Sequence, residues 1–392
     1  MSRLSFALLF SVALTLNLSA CSKSEAPKTT VSGDELIVRI GAAAPLTGPQ
    51  AHIGKDNENG TRMAIEDANT KGIMIAGKKA RFELLSEDDQ ADGKTATIVA
   101  QKLVDAKVNG VIGHLNSGTS IPASDLYNNN GIVQISPSAT ALKYTANGYK
   151  GTFRVMANDG QQGKVLGEFA VKKLKAKSIA VIDDKTSYGQ GLANEFIKSA
   201  EANGIKIVSH EYTTNQAVDF SAILTSIKGK KPDLVFFAGM DPQGAPLVKQ
   251  LKSLGLNAKF MMGDGGFTPK MSEIAGTAAE GMYASLPGVP MDKMPNGLDF
   301  AKRYEAKFKQ PIQLYAPYCY DATNVMIAAM QKANSIEPAK YLPELAKISF
   351  DGVTSKITFD EKGDLKGGAI TMYQVQQGKW VALETLGATP SP

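Results

Sequence analysis

Residues 110–122 read GVIGHLNSGTSIP: an apolar run, a turn of small amide and hydroxyl residues from Asn116 to Ser120, then Ile121 and Pro122, a proline where the first helical turn tolerates one. This order, a buried strand and a small-residue turn feeding a helix, decides the fold because it recurs. Apolar runs at 36–45 (LIVRIGAAAP), 80–85, 132–135, 178–182 (SIAVI), 205–208, 234–237 (LVFF) and 260–262 also read as buried strands. Helix-like segments lie between them at 60–68, 95–106, 163–174, 192–202, 220–227 and 245–254. The alternation predicts an α/β protein with mostly parallel sheets flanked by helices, whose ligands sit beyond the carboxyl ends of the strands.

More than eight such strands exceed one comfortable core, so the 392 residues are expected to form two lobes. Beyond Ala284, helices are expected at 297–308 and 320–333, returning the chain to the first lobe. A hairpin should follow, pairing 352–359 with 369–375 about a turn at 360–363.

With 43% hydrophobic and 21% charged residues the composition is globular. A net charge of +5 over so large a surface is no nucleic-acid footprint, and one tryptophan leaves little for stacking on bases. The slightly negative mean hydropathy excludes a polytopic membrane protein. Cys21 and Cys319 cannot build a disulfide framework, and His52, His114 and His210 lack ligand spacing, so neither a metal nor a cofactor is expected.

Residues 1–20 open with Arg3, run apolar from Leu4 to Leu18 and finish in small residues, the order of a secretory signal peptide. Leu18, Ser19, Ala20 and Cys21 resemble a bacterial lipobox, in which the cysteine is lipid-modified and becomes the new N-terminus; the alternative is a plain signal peptide with an incidental cysteine. The polar, aperiodic stretch after Cys21, up to residue 35, reads as a flexible tether. Cys319, left alone in an oxidising compartment, is then expected to be buried.

Enzyme signatures are missing: there is no G-x-S-x-G elbow, no phosphate loop, and Gly41 is followed by Ala42, Ala43 and Ala44 rather than a dinucleotide fingerprint. Asp88 with Asp89, and Asp183 with Asp184, read as solvated turn residues at strand ends. Residues 360–364 (DEKGD) lack the later Glu of a calcium loop and read as a hairpin turn. Three post-strand turns carry the chemistry: 116–120 (NSGTS), 136–140 (SPSAT) and 263–266 (GDGG). The first two offer hydroxyls and free amides to a carboxylate, and Asp264 sets an acid where the backbone can approach closely. Together they suit a zwitterion.

These turns, with PLTGP (45–49), PASDLY (122–127), DDKTSYGQGLA (183–193) and FDEKGDLKG (359–367), resemble the leucine/isoleucine/valine-binding family, the solute-binding proteins of branched-chain amino acid ABC transporters. The resemblance runs from about residue 36 to 383. It implies a two-lobe type I periplasmic binding protein with three hinge crossovers, lobe 1 being 36–158 plus 288–368 and lobe 2 being 159–287 plus 369–389. By matched position, Ser117 and Thr140, with Asn116 beside them, look like donors to the ligand α-carboxylate. Ser138, with Ala139 next to it, falls where the family lends a backbone carbonyl to the ammonium, and Asp264 where it places an acid. Tyr188 matches an aromatic covering the ligand, ordinary helix-start packing being its alternative. Ile53 and Met240 stand where amino-acid binders often carry tyrosines, so the side-chain pocket is less aromatic. Ala91 and Asn116 replace a cysteine pair of some relatives, and His114 reads as a hydrogen-bonded strand-end histidine rather than a cleft residue.

The implied function is an extracytoplasmic receptor, a monomer in the periplasm, that traps an amino acid, first of all Leu, Ile or Val, between its lobes. A membrane permease is the implied partner, with no nucleic acid and membrane contact only through a lipid anchor. Alternatives are the same fold binding an amide, a γ-amino acid or an aromatic acid, a sensory module, and an enzyme of dinucleotide-type fold.

Overall fold

The computed structural model describes residues 35–387; the signal-peptide and lipobox readings, with Cys21, lie outside the described residues. The first sheet is built from β1 (Glu35–Ala44), β2 (Met74–Ile75), β3 (Lys78–Asp88), β4 (Gly110–Gly113), β5 (Gln134–Ser136) and β6 (Thr152–Arg154), in the order β2-β3-β1-β4-β5-β6. All its pairings are parallel except that of the short β2. β4 is buried at every residue, as a central parallel strand covered on both faces must be.

The second sheet takes β7 (Ser178–Asp183), β8 (Lys206–Tyr212), β9 (Leu234–Ala238), β10 (Lys259–Met262) and β11 (Tyr283–Pro287). After a small pair, β12 (Phe350–Asp351) with β13 (Lys356–Ile357), the chain adds β14 (Ile370–Gln376) and β15 (Lys379–Leu386), giving β15-β14-β11-β10-β9-β7-β8. Each sheet with its helices is one lobe. The lobes are joined by three crossovers: after β6, after β11, and before β14. The second and third are tied together by a bond from the Gly288 N–H to the Ala369 carbonyl at 2.7 Å.

The helices Gly297–Phe308 and Ala316–Lys332 do return to the first lobe, the latter packing on β4, β5 and the long helix Ala51–Lys71. The C-terminal hairpin differs from expectation. Residues 369–375 do not pair with 352–359; β14 lies between β11 and β15, antiparallel to both. The alternation read in 352–359 belongs to the β12–β13 pair, and only a single bridge, Phe359 with Leu365, flanks the turn at 360–363. A tight turn there does not require its flanks to run on as partners, and β15 lies one short turn beyond β14. Three of the four paired acids are also not solvated: Asp89, Asp183 and Asp184 are buried and held by hydrogen bonds, while Asp88 stays partly exposed.

Candidate functional site

The turns after β4, β5 and β10 lie at the carboxyl edges of the two sheets, where the lobes face each other. After β4, Asn116 caps the helix Ser117–Asn129 from an extended backbone. Its amide donates to Gln50 at 2.8 Å, while its own Oδ1 is buried without a partner. The Ser117 hydroxyl accepts the Ala141 N–H at 3.1 Å, which ties this turn to the next one and leaves its proton for another acceptor. After β5, Ser136 holds the turn by accepting the N–H groups of Ser138 and Ala139 and donating to the His114 carbonyl. The Ser138 hydroxyl donates to the Leu115 carbonyl at 2.9 Å, and the Thr140 hydroxyl is buried with no partner.

Arg154, fully buried, fixes this edge from beneath. Its guanidinium donates to the carbonyls of Ala139 (2.6 Å) and Ala141 (3.0 Å), to Thr145 and to Asp364, so the Ala139 carbonyl is already engaged. Planar, five-donor geometry suits a guanidinium to gripping several carbonyls of one turn.

On the facing edge the β10 strand ends in Gly263, Asp264, Gly265 and Gly266. The glycines are required by space. A Cβ at Gly265 would stand 2.6 Å from the Gly239 carbonyl oxygen and 2.8 Å from the Met240 sulfur, and one at Gly263 would meet the Tyr188 hydroxyl at 2.7 Å. Asp264 Oδ1 accepts from Tyr188 (2.8 Å) and Gln162 (3.0 Å), and Oδ2 accepts from Tyr315 at 2.6 Å. Gln162 also accepts the Asp264 N–H, and the Tyr188 hydroxyl accepts that of Gly265. An ionised carboxylate has about four acceptor positions, so roughly one remains free. Burial raises the Asp264 pKa, opposed by the hydrogen bonds from Tyr315, Tyr188 and Gln162.

Two further residues of this site, Gln162 and Asp159, open the helix Asp159–Lys172 and were not legible as site residues. Asp159 is fully buried and neither of its oxygens has a hydrogen-bond partner. Burial pushes its pKa up to about 8; the nearby Thr140 hydroxyl opposes this and the Asp264 charge adds to it. Tyr315, the third residue missed, comes from the first lobe. Its segment is gripped by Asp56, which accepts the N–H groups of Gln313, Leu314, Tyr315 and Ala316 and the Tyr304 hydroxyl. A sequence signal existed only for the helix start, in Pro317 just beyond; nothing local marks an aspartate about 260 residues upstream as its anchor.

The structure thus gathers Asn116, Ser117, Ser138, Ala139 and Thr140 on one edge, and Tyr188, Met240 and Asp264 on the other. Ile53 and Cys319 are wholly buried. His114 is enclosed between Asp89 (2.7 Å) and the Tyr127 hydroxyl (3.1 Å), a structural histidine beneath the donor turn.

A family model described as periplasmic binding protein matches residues 37–379. The leucine-, isoleucine-, valine-, threonine- and alanine-binding protein of Pseudomonas aeruginosa is 36% identical over 86% of this chain and 89% of its own length. Among solved structures, the leucine-binding protein LivK of Thermotoga maritima superposes with a TM-score of 0.82 at 27% identity, covering 89% of this chain and 98% of that one. LivJ of Streptococcus pneumoniae, a branched-chain amino acid transporter substrate-binding protein in complex with isoleucine, gives 0.81 at 26%, covering 90% and 99%.

Proposed function

Since the chain belongs to the periplasmic binding protein family, we propose that it is the extracytoplasmic receptor of an ABC importer, closing its two lobes on an aliphatic α-amino acid. Relatives of this description serve branched-chain amino acid transport, and solved neighbours hold isoleucine and leucine. The observation that carries the reading is the opposition of charge preferences across the cleft. One edge presents the Ser117 and Thr140 hydroxyls with the backbone amides of their turns; the other presents Asp264, with one acceptor position left, and the unpartnered Asp159 carboxyl lies between them, its N–H on the Thr140 carbonyl. A zwitterion satisfies both edges at once, and only in the closed arrangement. Desolvating its two charges costs several kcal/mol per ion unless each gains charge-assisted partners, which these groups are placed to supply.

An aromatic acid lacking an ammonium would set its carboxylate against the hydroxyl edge and leave the Asp264 carboxylate facing an apolar ring. This makes it the weaker reading. Chemically the protein only binds and releases, and the closed shape is what a membrane permease would recognise. We assign lobe 1 to residues 36–158 plus 288–368 and lobe 2 to 159–287 plus 369–387, the expected bound at 389 lying outside the described residues, with the periplasmic monomer tethered through a lipid on Cys21. Calorimetry with a panel of aliphatic amino acids, amides, γ-amino acids and benzoate tests the reading, with Asp264→Ala alongside. Tight binding of Leu, Ile or Val, lost in the variant, is expected; undiminished aliphatic binding by Asp264→Ala would overturn the ammonium assignment.

A further inference from the structure

Each of the three histidines is paired with an aspartate, and one pair crosses between the lobes. His114 with Asp89 lies inside the first lobe and His210 with Asp183 inside the second, both at 2.7 Å. His52 Nε2 meets Asp241 Oδ2 at 2.8 Å. His52 sits in the first turn of the helix Ala51–Lys71, and Asp241 opens the helix Asp241–Ser253 immediately after β9.

Asp241 is held on its own side by one hydrogen bond, its Oδ1 being buried without a partner. The Thr268 hydroxyl accepts the Met271 N–H, so its proton goes to Asp241 Oδ2, at 2.7 Å. The start of its helix favours a negative charge there. Its side chain is fully buried, whereas that of His52 keeps 20% of its surface, placing the contact at the rim of the seam. Opening the hinge would part the two: Asp241 would keep Thr268 and gain water, and His52 would be solvated. The bond therefore belongs to the closed state alone.

We propose that His52 and Asp241 are a positioning pair, a latch that stabilises lobe closure without touching the ligand and so sets affinity through the population of the closed form. The inference rests on the reading that the lobes close on a solute, but not on which solute. Apparent affinity scales with the fraction of protein in the competent state, and a hydrogen bond to a charged group is worth about a tenfold population ratio or more.

The test uses the ligand-free full-length chain, with Cys21→Ser, Ile98→Cys and Val218→Cys, spin-labelled for pulsed dipolar distance measurement. Ile98 and Val218 are exposed on opposite lobes, and Cys319 is buried. The parent should show a short-distance, closed population. His52→Ala and Asp241→Asn should each lower the closed-to-open ratio about tenfold, the double variant no further, and His52→Gln should restore part of it. A parent without the closed population, an unchanged His52→Ala distribution, or additive single effects would overturn the latch. Because no ligand is present, an error in ligand identity leaves this result standing. Should Asp241→Asn fold poorly, His52→Ala, at a partly exposed position, decides alone. Titration with L-leucine then separates the two readings: a latch variant still binds, up to about tenfold more weakly, while Asp264→Ala, which also gives up the Tyr315 bond across the cleft, loses binding altogether.

Discussion

The Tyr315 hydroxyl donates to Oδ2 of Asp264 at 2.6 Å, and the two residues stand on opposite lobes. Asp264 therefore has a partner across the cleft that it keeps only when the lobes are together. Tyr315→Phe removes the donor at nearly constant volume. A hydrogen bond to a charged group is worth about 1.5–3 kcal/mol, so affinity for L-leucine should fall at least tenfold, read by calorimetry. Unchanged affinity would show that the bond adds nothing to closure.

Asp264→Asn should move stability and binding in opposite directions. Burial raises the Asp264 pKa, so its charge is a cost to the folded protein that grows as pH rises above the ordinary carboxylate range. A neutral amide avoids it. The ligand-free variant is expected to melt a few degrees higher than the parent at pH 7, the gain disappearing toward pH 4, while amino-acid affinity falls on the order of a hundredfold. A lower melting temperature at both pH values would mean that the three donors outweigh the burial cost.

Much of this was readable because it is local. The strand, small-residue turn and helix order of 110–122 needs nothing from elsewhere in the chain, and Asp264 is conspicuous between glycines. The supports of the site were not readable, because each is joined to it over a long sequence separation. Asp56 holds the Tyr315 segment about 260 residues away, and Arg154 reaches back to a turn while pairing with Asp364 ahead of it. The partner of residues 369–375 is not legible for a related reason: alternation identifies a strand but not its neighbour, and β14 pairs with both β11 and β15.

Arg154→Lys tests that hidden support. Lysine keeps the charge but cannot span the Ala139 and Ala141 carbonyls, Thr145 and Asp364 together. Breaking a buried ion pair and its network costs about 3 kcal/mol or more, which should appear as a lower urea midpoint. The same change loosens the turn carrying Thr140, so ligand affinity should fall even where the protein remains folded. A stability loss with affinity unaltered would separate Arg154 from the site.

Asp159 makes ligand binding a proton-coupled event. With a pKa near 8 it is mostly protonated at pH 7 in the empty protein, held so by burial and by the nearby Asp264 charge. An ammonium arriving beside these two carboxylates favours the ionised form, so its binding should expel a proton. Calorimetry at pH 7 in buffers of different ionisation enthalpy should then show release of up to about one proton per ligand, falling toward zero as pH rises past 9, where the group is already ionised. The sign for stability follows from the same raised pKa. The contribution of Asp159 to the empty fold is full below its unfolded value of about 4 and is lost as pH climbs through 8. Asp159→Asn should accordingly abolish the proton release and flatten the alkaline fall in melting temperature of the ligand-free protein. Buffer-independent heats in the parent would place the ammonium away from Asp159 and leave Asp264 as its only acid.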